Sequence, residues 1–164
     1  MEIYILRHGI AESQEPGASD ARRALTDQGR AKLRLVLNRA RLADVSPSLI
    51  LTSPYVRAAQ TAELAAEILG YGKAVVRTDA LLPSSSAAAV WREICSHGGE
   101  RAVLLAGHEP LLSETASYLL GSDRVIVELK KGSLLFIEIE KLNRESAGVL
   151  KWMLTPRLAA SATP

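Results

Sequence analysis

The first nine residues, MEIYILRHG, place a four-residue apolar run, residues 3–6, between an acid and an arginine and end it on Arg7-His8-Gly9. Four apolar residues are too few for the hydrophobic segment of a secretion signal, and they read as a strand. The same unit recurs along the chain, a short apolar run followed by a longer segment of helical period. Residues 48–52 form a second strand that runs into Ser53-Pro54, where a Ser cap followed by Pro predicts a helix start. Ala58, Ala62, Ala65 and Leu69 then give that helix a small-residue face. Residues 74–77 form a third strand, followed by a helix with Val90, Trp91 and Ile94 inward. Residues 101–106 form a fourth strand, apolar enough to be buried on both faces. It ends in Gly107-His108-Glu109-Pro110, and Pro110 opens a helix whose face is Leu112, Thr115, Ala116 and Leu119. An earlier helix, capped by Thr26, carries Leu33, Val36, Leu37 and Ala40. Two late strands are expected near residues 134–140 and 149–154. The alternation predicts an α/β chain, a three-layer α/β/α sandwich with a mostly parallel central sheet. One domain is expected over residues 1–156, with a C-terminal tail over 157–164.

Composition narrows the function. The 164 residues are 48% apolar and 23% charged, with 20 Lys and Arg against 18 acids and a net charge of +2. That balance, with only 4% aromatics, argues against nucleic acid as a partner. A single cysteine, Cys95, leaves no internal disulfide and no cysteine-based zinc site. No window of some twenty apolar residues occurs, so no membrane span is expected. The cytoplasm is the expected location.

The unusual polar residues fall at strand ends. Arg7 and His8 end the first strand, Arg57 lies in the first turn after the second, and His108 ends the fourth. In an open α/β sheet the carboxyl ends of parallel strands form the ligand crevice. Arginine offers a planar fork of donors suited to phosphate oxygens, and a neutral imidazole is a competent nucleophile toward phosphorus. His8 is the better nucleophile candidate, because Gly9 beside it permits close backbone approach. Its second ring nitrogen is expected to donate to a backbone carbonyl, leaving the attacking nitrogen free. His108 suits the equatorial oxygens of a transferring phosphoryl group. Taken singly, each has a plainer reading: Arg57 as a solvated helix residue, His108 as a helix cap.

Arg7-His8-Gly9 after an N-terminal strand, Ser53-Pro54-x-x-Arg57-Ala58-x-Gln60-Thr61, and the later Gly107-His108 together resemble the histidine phosphatase (phosphoglycerate-mutase-like) superfamily. The chain's length, Arg23-Ala24-Leu25-Thr26 with Gly29 following, Gly107-His108-Glu109-Pro110 and residues 152–156 are similar to its short phosphohistidine phosphatases. The resemblance implies a phosphohistidine intermediate on His8 and a phosphate pocket of Arg7, Arg57 and His108. Arg23 would be a further substrate contact, with Arg22 its competitor. It also implies a partner that is a phosphorylated protein (a histidine-containing phosphotransfer domain) or a small phosphorylated substrate. With three histidines and no carboxylate cluster of ligand spacing, no metal or cofactor is expected. Alternatives are a phosphatase of small phosphomonoesters or of phosphoserine and phosphothreonine proteins, and a non-catalytic phosphate-binding module.

One departure bears on substrate. Larger members of that superfamily place a glutamate acid after the third strand, whereas residues 74–92 here hold one carboxylate, Asp79. An alkoxide leaving group needs a proton in the transition state; an imidazole leaving a phosphoramidate needs it far less. Glu12, Asp79 and Glu109 are the carboxylates that could reach the pocket. Elsewhere, His97 reads as a helix-end residue, Cys95 as a small core residue, Trp91 and Trp152 as packing residues, and Lys130-Lys131 as a solvated turn.

Overall fold

A strand buried on both faces sends alternate side chains into opposite layers. The structure, a computed structural model describing residues 1–122, 124–142 and 147–161, shows this in every central strand. β1 (Glu2–Arg7) sends Ile3 and Ile5 into one apolar cluster and Tyr4 and Leu6 into another. β2 (Leu49–Thr52) and β4 (Ala102–Gly107) divide alike, with Leu51 and Leu105 in the first cluster and Ile50 and Leu104 in the second. β3 (Val76–Arg77) is shorter than the expected third strand and forms an exposed sheet edge.

Helices complete the two outer layers. α1 (Asp27–Leu42) and α2 (Val56–Leu69) bury Leu33, Leu37, Ala62 and Ala65 in the second cluster. α3 (Ala87–Ser96) and α4 (Leu111–Leu119) bury Trp91, Ile94, Leu112 and Ala116 in the first. The sheet order is β3-β2-β4-β1-β5-β6, where β5 spans Leu134–Glu138 and β6 spans Val149–Leu154. Neighbours from β3 through β1 pair in parallel; β5 and β6 are antiparallel. The expected three-layer, mostly parallel sandwich is what forms.

Three local expectations need correction. Ser53-Pro54 does not open α2, which begins at Val56 after Tyr55. The Ser53 hydroxyl accepts from the Tyr55 amide and also meets His108, so it serves the turn and the neighbouring strand end rather than a helix N-terminus. Residues 157–161, expected as the start of a tail, belong to α5 (Pro156–Ser161), with Ala159 buried in the second cluster. There Thr155 is the cap, its hydroxyl accepting from the Leu158 amide and its carbonyl from the Ala159 amide. Residues 162–164 of that tail lie outside the described residues. Cys95 is exposed, because α3 turns only the stripe of Val90, Trp91 and Ile94 inward.

α1 starts against the backbone that follows β1. Thr26 caps it through the Gly29 amide at 3.0 Å. A Cβ on Gly29 would stand 2.1 Å from the Ile10 carbonyl oxygen, and one on Gly9 would stand 2.7 Å from a Leu33 methyl. Gly9 therefore serves the approach of α1. Gly29→Ala is expected to cost about 2 kcal/mol through overpacking. Gly72→Ala, where an added Cβ meets nothing within 4 Å, should be neutral. Urea unfolding of the two variants beside wild type checks the contrast.

Candidate active site

Three strands end side by side. The ladder pairs Arg7 with Gly107 and Thr52 with Ala106, so His8, His108 and Ser53 are the next residues of adjacent strands. Two backbone bonds extend the alignment past the ladder, from the His8 amide to the Gly107 carbonyl and from the Ser53 amide to the Ala106 carbonyl, each 3.0 Å. Arg57 enters from the first turn of α2 and is buried at 4% exposure.

His8 is held in one tautomer. Its Nδ1 lies 2.7 Å from the Gly9 carbonyl oxygen, which can only accept, so Nδ1 carries the proton. Its Nε2 accepts a hydrogen bond from the Arg57 Nε–H at 3.2 Å, so the lone pair lies on Nε2 but is engaged by Arg57 rather than free as expected. The expected carbonyl partner is thus present, supplied by the adjoining glycine. Burial pushes the imidazole down to about 4; the Gly9 carbonyl opposes this while Arg57, Arg7 and Lys131 add to it. His8 is neutral across the physiological range. Its ring lies 5.1 Å from that of His108.

His108 is 2% exposed. Its Nε2 is 2.9 Å from the Ser53 hydroxyl, and its Nδ1 is buried without a hydrogen-bond partner. Burial pushes it down to about 3, with His8 and Arg57 adding and Asp20 opposing. Tyr55 sets an edge against the His108 ring and lies beneath the Arg57 guanidinium, both at 5.1 Å. Arg7 donates from Nη1 to the Leu129 carbonyl at 2.5 Å, while its buried Nε has no partner. Burial lowers the Arg7 guanidinium, and Glu109 and Glu128 oppose that. Among the described residues neither of these two buried nitrogens, on Arg7 and His108, has a partner, and such donors suit an acceptor-rich group.

Arg57 is bound on its far side by a residue that sequence reasoning passed over. Asp20, at the start of a 3-10 turn (Asp20–Arg22), accepts Nη1 at its carbonyl, 2.7 Å, and Nη2 at its carboxylate, 2.8 Å. The same carboxylate accepts from Arg23, whose Nη1 also donates to the Glu12 carbonyl at 2.9 Å. Arg23, not Arg22, is therefore joined to Arg57. Partial burial pushes Asp20 up, but the bonds from Arg57 and Arg23 outweigh it and hold its carboxyl below the usual range. The only sequence signal for Asp20 was an acid three residues before Arg23 in an otherwise polar loop.

The three candidate acids separate. The Glu12 side chain accepts from the Ala24 amide, and Asp79 sits in a turn beyond the edge strand. Glu109 follows His108 directly, accepts from the Ser113 hydroxyl, and has its second oxygen buried without a partner. Burial pushes its carboxyl up, against the Ser113 bond and the Arg7 charge. Among the described residues no cluster of three or more His, Cys, Asp or Glu is set to hold a metal ion. Among them, too, no helix is long and apolar enough to cross a membrane.

The sheet, the paired histidines and the buried Arg57 with Arg7 beside them define a class. The histidine phosphatase superfamily (branch 1) matches residues 3–82, and the chain belongs to it. It is 36% identical over 137 residues to an uncharacterised protein of Picosynechococcus sp. (strain ATCC 27264 / PCC 7002 / PR-6), covering 82% of this chain and 83% of that protein. It is 26% identical over 158 residues to the phosphohistidine phosphatase SixA of Escherichia coli (strain K12), covering 95% and 94%. The solved structure of the protein histidine phosphatase SixA complexed with tungstate superposes with a TM-score of 0.85 at 24% identity, over 96% of this chain and 98% of that one.

Burial of two neutral imidazoles ties stability to pH. The unfolded chain protonates both near the ordinary 6.5, whereas the folded chain resists to about 4 at His8 and about 3 at His108. The unfolded state therefore binds more protons through that window, and stability falls as pH drops from about 6.5 to about 4. His8→Gln should flatten part of this slope. Urea midpoints across the range measure it, and an unchanged slope in the variant would show that His8 is not held neutral by the fold.

Proposed function

We propose that the chain is a phosphatase that takes a phosphoryl group onto Nε2 of His8 and then gives it to water, with phosphohistidine in a protein as its substrate. The observation that carries this reading is the His8 tautomer: Nδ1–H is spent on the Gly9 carbonyl, which puts the lone pair on Nε2, where it accepts from Arg57 Nε–H until a phosphoryl group takes that donor. In the first step Nε2 attacks phosphorus, the new P–N bond forms, and the bond to the leaving group breaks with its electron pair. In the second, water attacks phosphorus and loses its proton to solvent. The P–Nε2 bond breaks and inorganic phosphate leaves.

Arg57 and Arg7 offer guanidinium N–H groups to the oxygens of the transferring group. With the Ser53 hydroxyl donating to Nε2 of His108, the unpartnered Nδ1–H of His108 becomes a third donor. Arg23, joined to Arg57 through Asp20, lines the outer side as a substrate contact. The phosphohistidine preference is supported by the leaving-group chemistry. Residues 74–92 carry no carboxylate but Asp79, and transfer from one imidazole to another is nearly balanced without an acid. The 26% identity to SixA of Escherichia coli points the same way. A second reading, hydrolysis of small phosphomonoesters, is favoured by Glu109, whose raised carboxyl beside Arg7 could protonate an alkoxide.

The test compares wild type with His8→Ala and His108→Ala on a histidine-phosphorylated phosphotransfer protein and on p-nitrophenyl phosphate, with EDTA present. His8→Ala should lose about four orders of magnitude in kcat/KM and His108→Ala about a hundredfold. The phosphoprotein should be the faster substrate in wild type. Faster ester hydrolysis that Glu109→Gln abolishes would transfer the assignment to phosphomonoesters. Binding of the phosphoprotein without turnover would leave a recognition module.

A further inference from the structure

Arg57 distributes its three nitrogens in a revealing way. Nη1 and Nη2 are both taken by Asp20, one by the backbone carbonyl at 2.7 Å and one by the carboxylate at 2.8 Å. Only Nε points to His8, at 3.2 Å. The other carboxylate oxygen of Asp20 accepts from Nε of Arg23 at 2.7 Å and from its Nη2 at 2.5 Å. One carboxylate thus joins two guanidinium groups, and among the described residues it is the only acid paired with Arg57.

Accepting the reading of His8 as the phosphoryl acceptor, we infer that Asp20 is a positioning residue. It locks Arg57 with its Nε–H edge toward Nε2 of His8 and holds Arg23 at a fixed distance from it. An arginine side chain has four rotatable bonds, and donors stabilise a transferring phosphoryl group only when already aimed at its oxygens. Asp20 removes that freedom by gripping Nη1 and Nη2 and leaving Nε–H to His8. The geometry distinguishes this from a carboxylate that merely fills the phosphate seat. A filler would hold the donor nearest the nucleophile and would depart by rotating its side chain. Here the nearest donor, Nε, is not bound to Asp20, and Nη1 is held by a backbone carbonyl that no side-chain rotation removes.

The chemistry of the replacement follows. Asparagine keeps one acceptor oxygen and sets an NH2 against a second guanidinium, so it can hold one arginine but not both. Glutamate keeps both oxygens and the charge at a longer reach.

Vanadate inhibition of p-nitrophenyl phosphate hydrolysis separates the outcomes, because vanadate needs the aimed donors but no leaving group. In Asp20→Asn the inhibition constant is expected to rise about ten- to hundredfold, the range for losing a charge-assisted hydrogen bond. The value of kcat should fall more than KM rises, and Asp20→Glu should recover part of both. Thermal unfolding of the same samples accompanies the comparison, and Asp20→Glu carries it should Asp20→Asn not fold. Unchanged inhibition, or tighter inhibition as expected for a displaced resident anion, would overturn the positioning role and leave the phosphatase reading intact. A wild type that neither hydrolyses the ester nor binds vanadate would overturn both.

Discussion

The parallel pairing of β1 with β4, in the register that sets Arg7 opposite Gly107, is the constraint on which the site depends. Both strands are buried on both faces, and a slip of one residue would exchange the side chains of the two apolar clusters. Were β1 the strand to slip, Ile5 would meet the helices that Leu6 now faces. The cost of that exchange specifies the register, and the register puts two histidines from positions a hundred residues apart within ring contact. β2 joins on the other side of β4 and adds Ser53 to the same row. The turn before β5 closes it, the Gly132 amide reaching the carbonyls of Arg7 and His8. The site is therefore an end product of core packing, and its atoms need little local machinery to be placed.

Concentrating cations in a buried place is expensive, and each is treated differently. The histidines avoid the cost by remaining neutral. Arg7 turns one edge to a backbone carbonyl at Leu129 and leaves Nε unpaired. Arg57 is matched by Asp20, which also takes Arg23, so that a single carboxylate serves two guanidinium groups. The remainder is a pocket with more positive donors than it satisfies internally. That imbalance lies in hydrogen bonds aimed at one place, since the chain as a whole carries a net charge of only +2. A dianionic phosphoryl group has the charge and the acceptor count to complete it.

Much of this was legible in the sequence, for physical reasons that also mark where reading stopped. The central strands are runs of apolar residues with no competing period, and the four principal site residues stand where those runs or the following helix begin to turn polar. The His8 tautomer was legible because a nucleophilic nitrogen requires its ring partner to be occupied. Asp20 was not, because its role is long-range: a loop acid becomes an arginine clamp only after α2 has brought Arg57 beside it. The Ser-Pro signal misled at Ser53 and was overlooked at Thr155-Pro156, where it does open a helix. At Ser53 the hydroxyl is shared with a neighbouring strand end, while at Thr155 it accepts from the Leu158 amide of the helix itself. Cys95 differs by one position on a helix whose inward stripe is narrow, and a single step of 100° separates core from surface.

The distribution of carboxylates shapes what chemistry this arrangement favours. In the proposed reaction the bond broken in a phosphohistidine substrate and the bond formed on His8 are of one kind, so the first step needs no large thermodynamic push from a proton. Its demand is on alignment: attacking nitrogen, phosphorus and leaving nitrogen in line, with donors already facing the equatorial oxygens. The hydrogen bonds that would serve such alignment are the Gly9 carbonyl on His8, Ser53 on His108 and Asp20 on Arg57. Among the described residues one carboxyl is pushed up, by burial: Glu109, at the β4–α4 corner near Arg7 and tied to Ser113. Under the proposed reading an alkoxide leaving group would depend on a proton from that corner, whereas an imidazole leaving group would not.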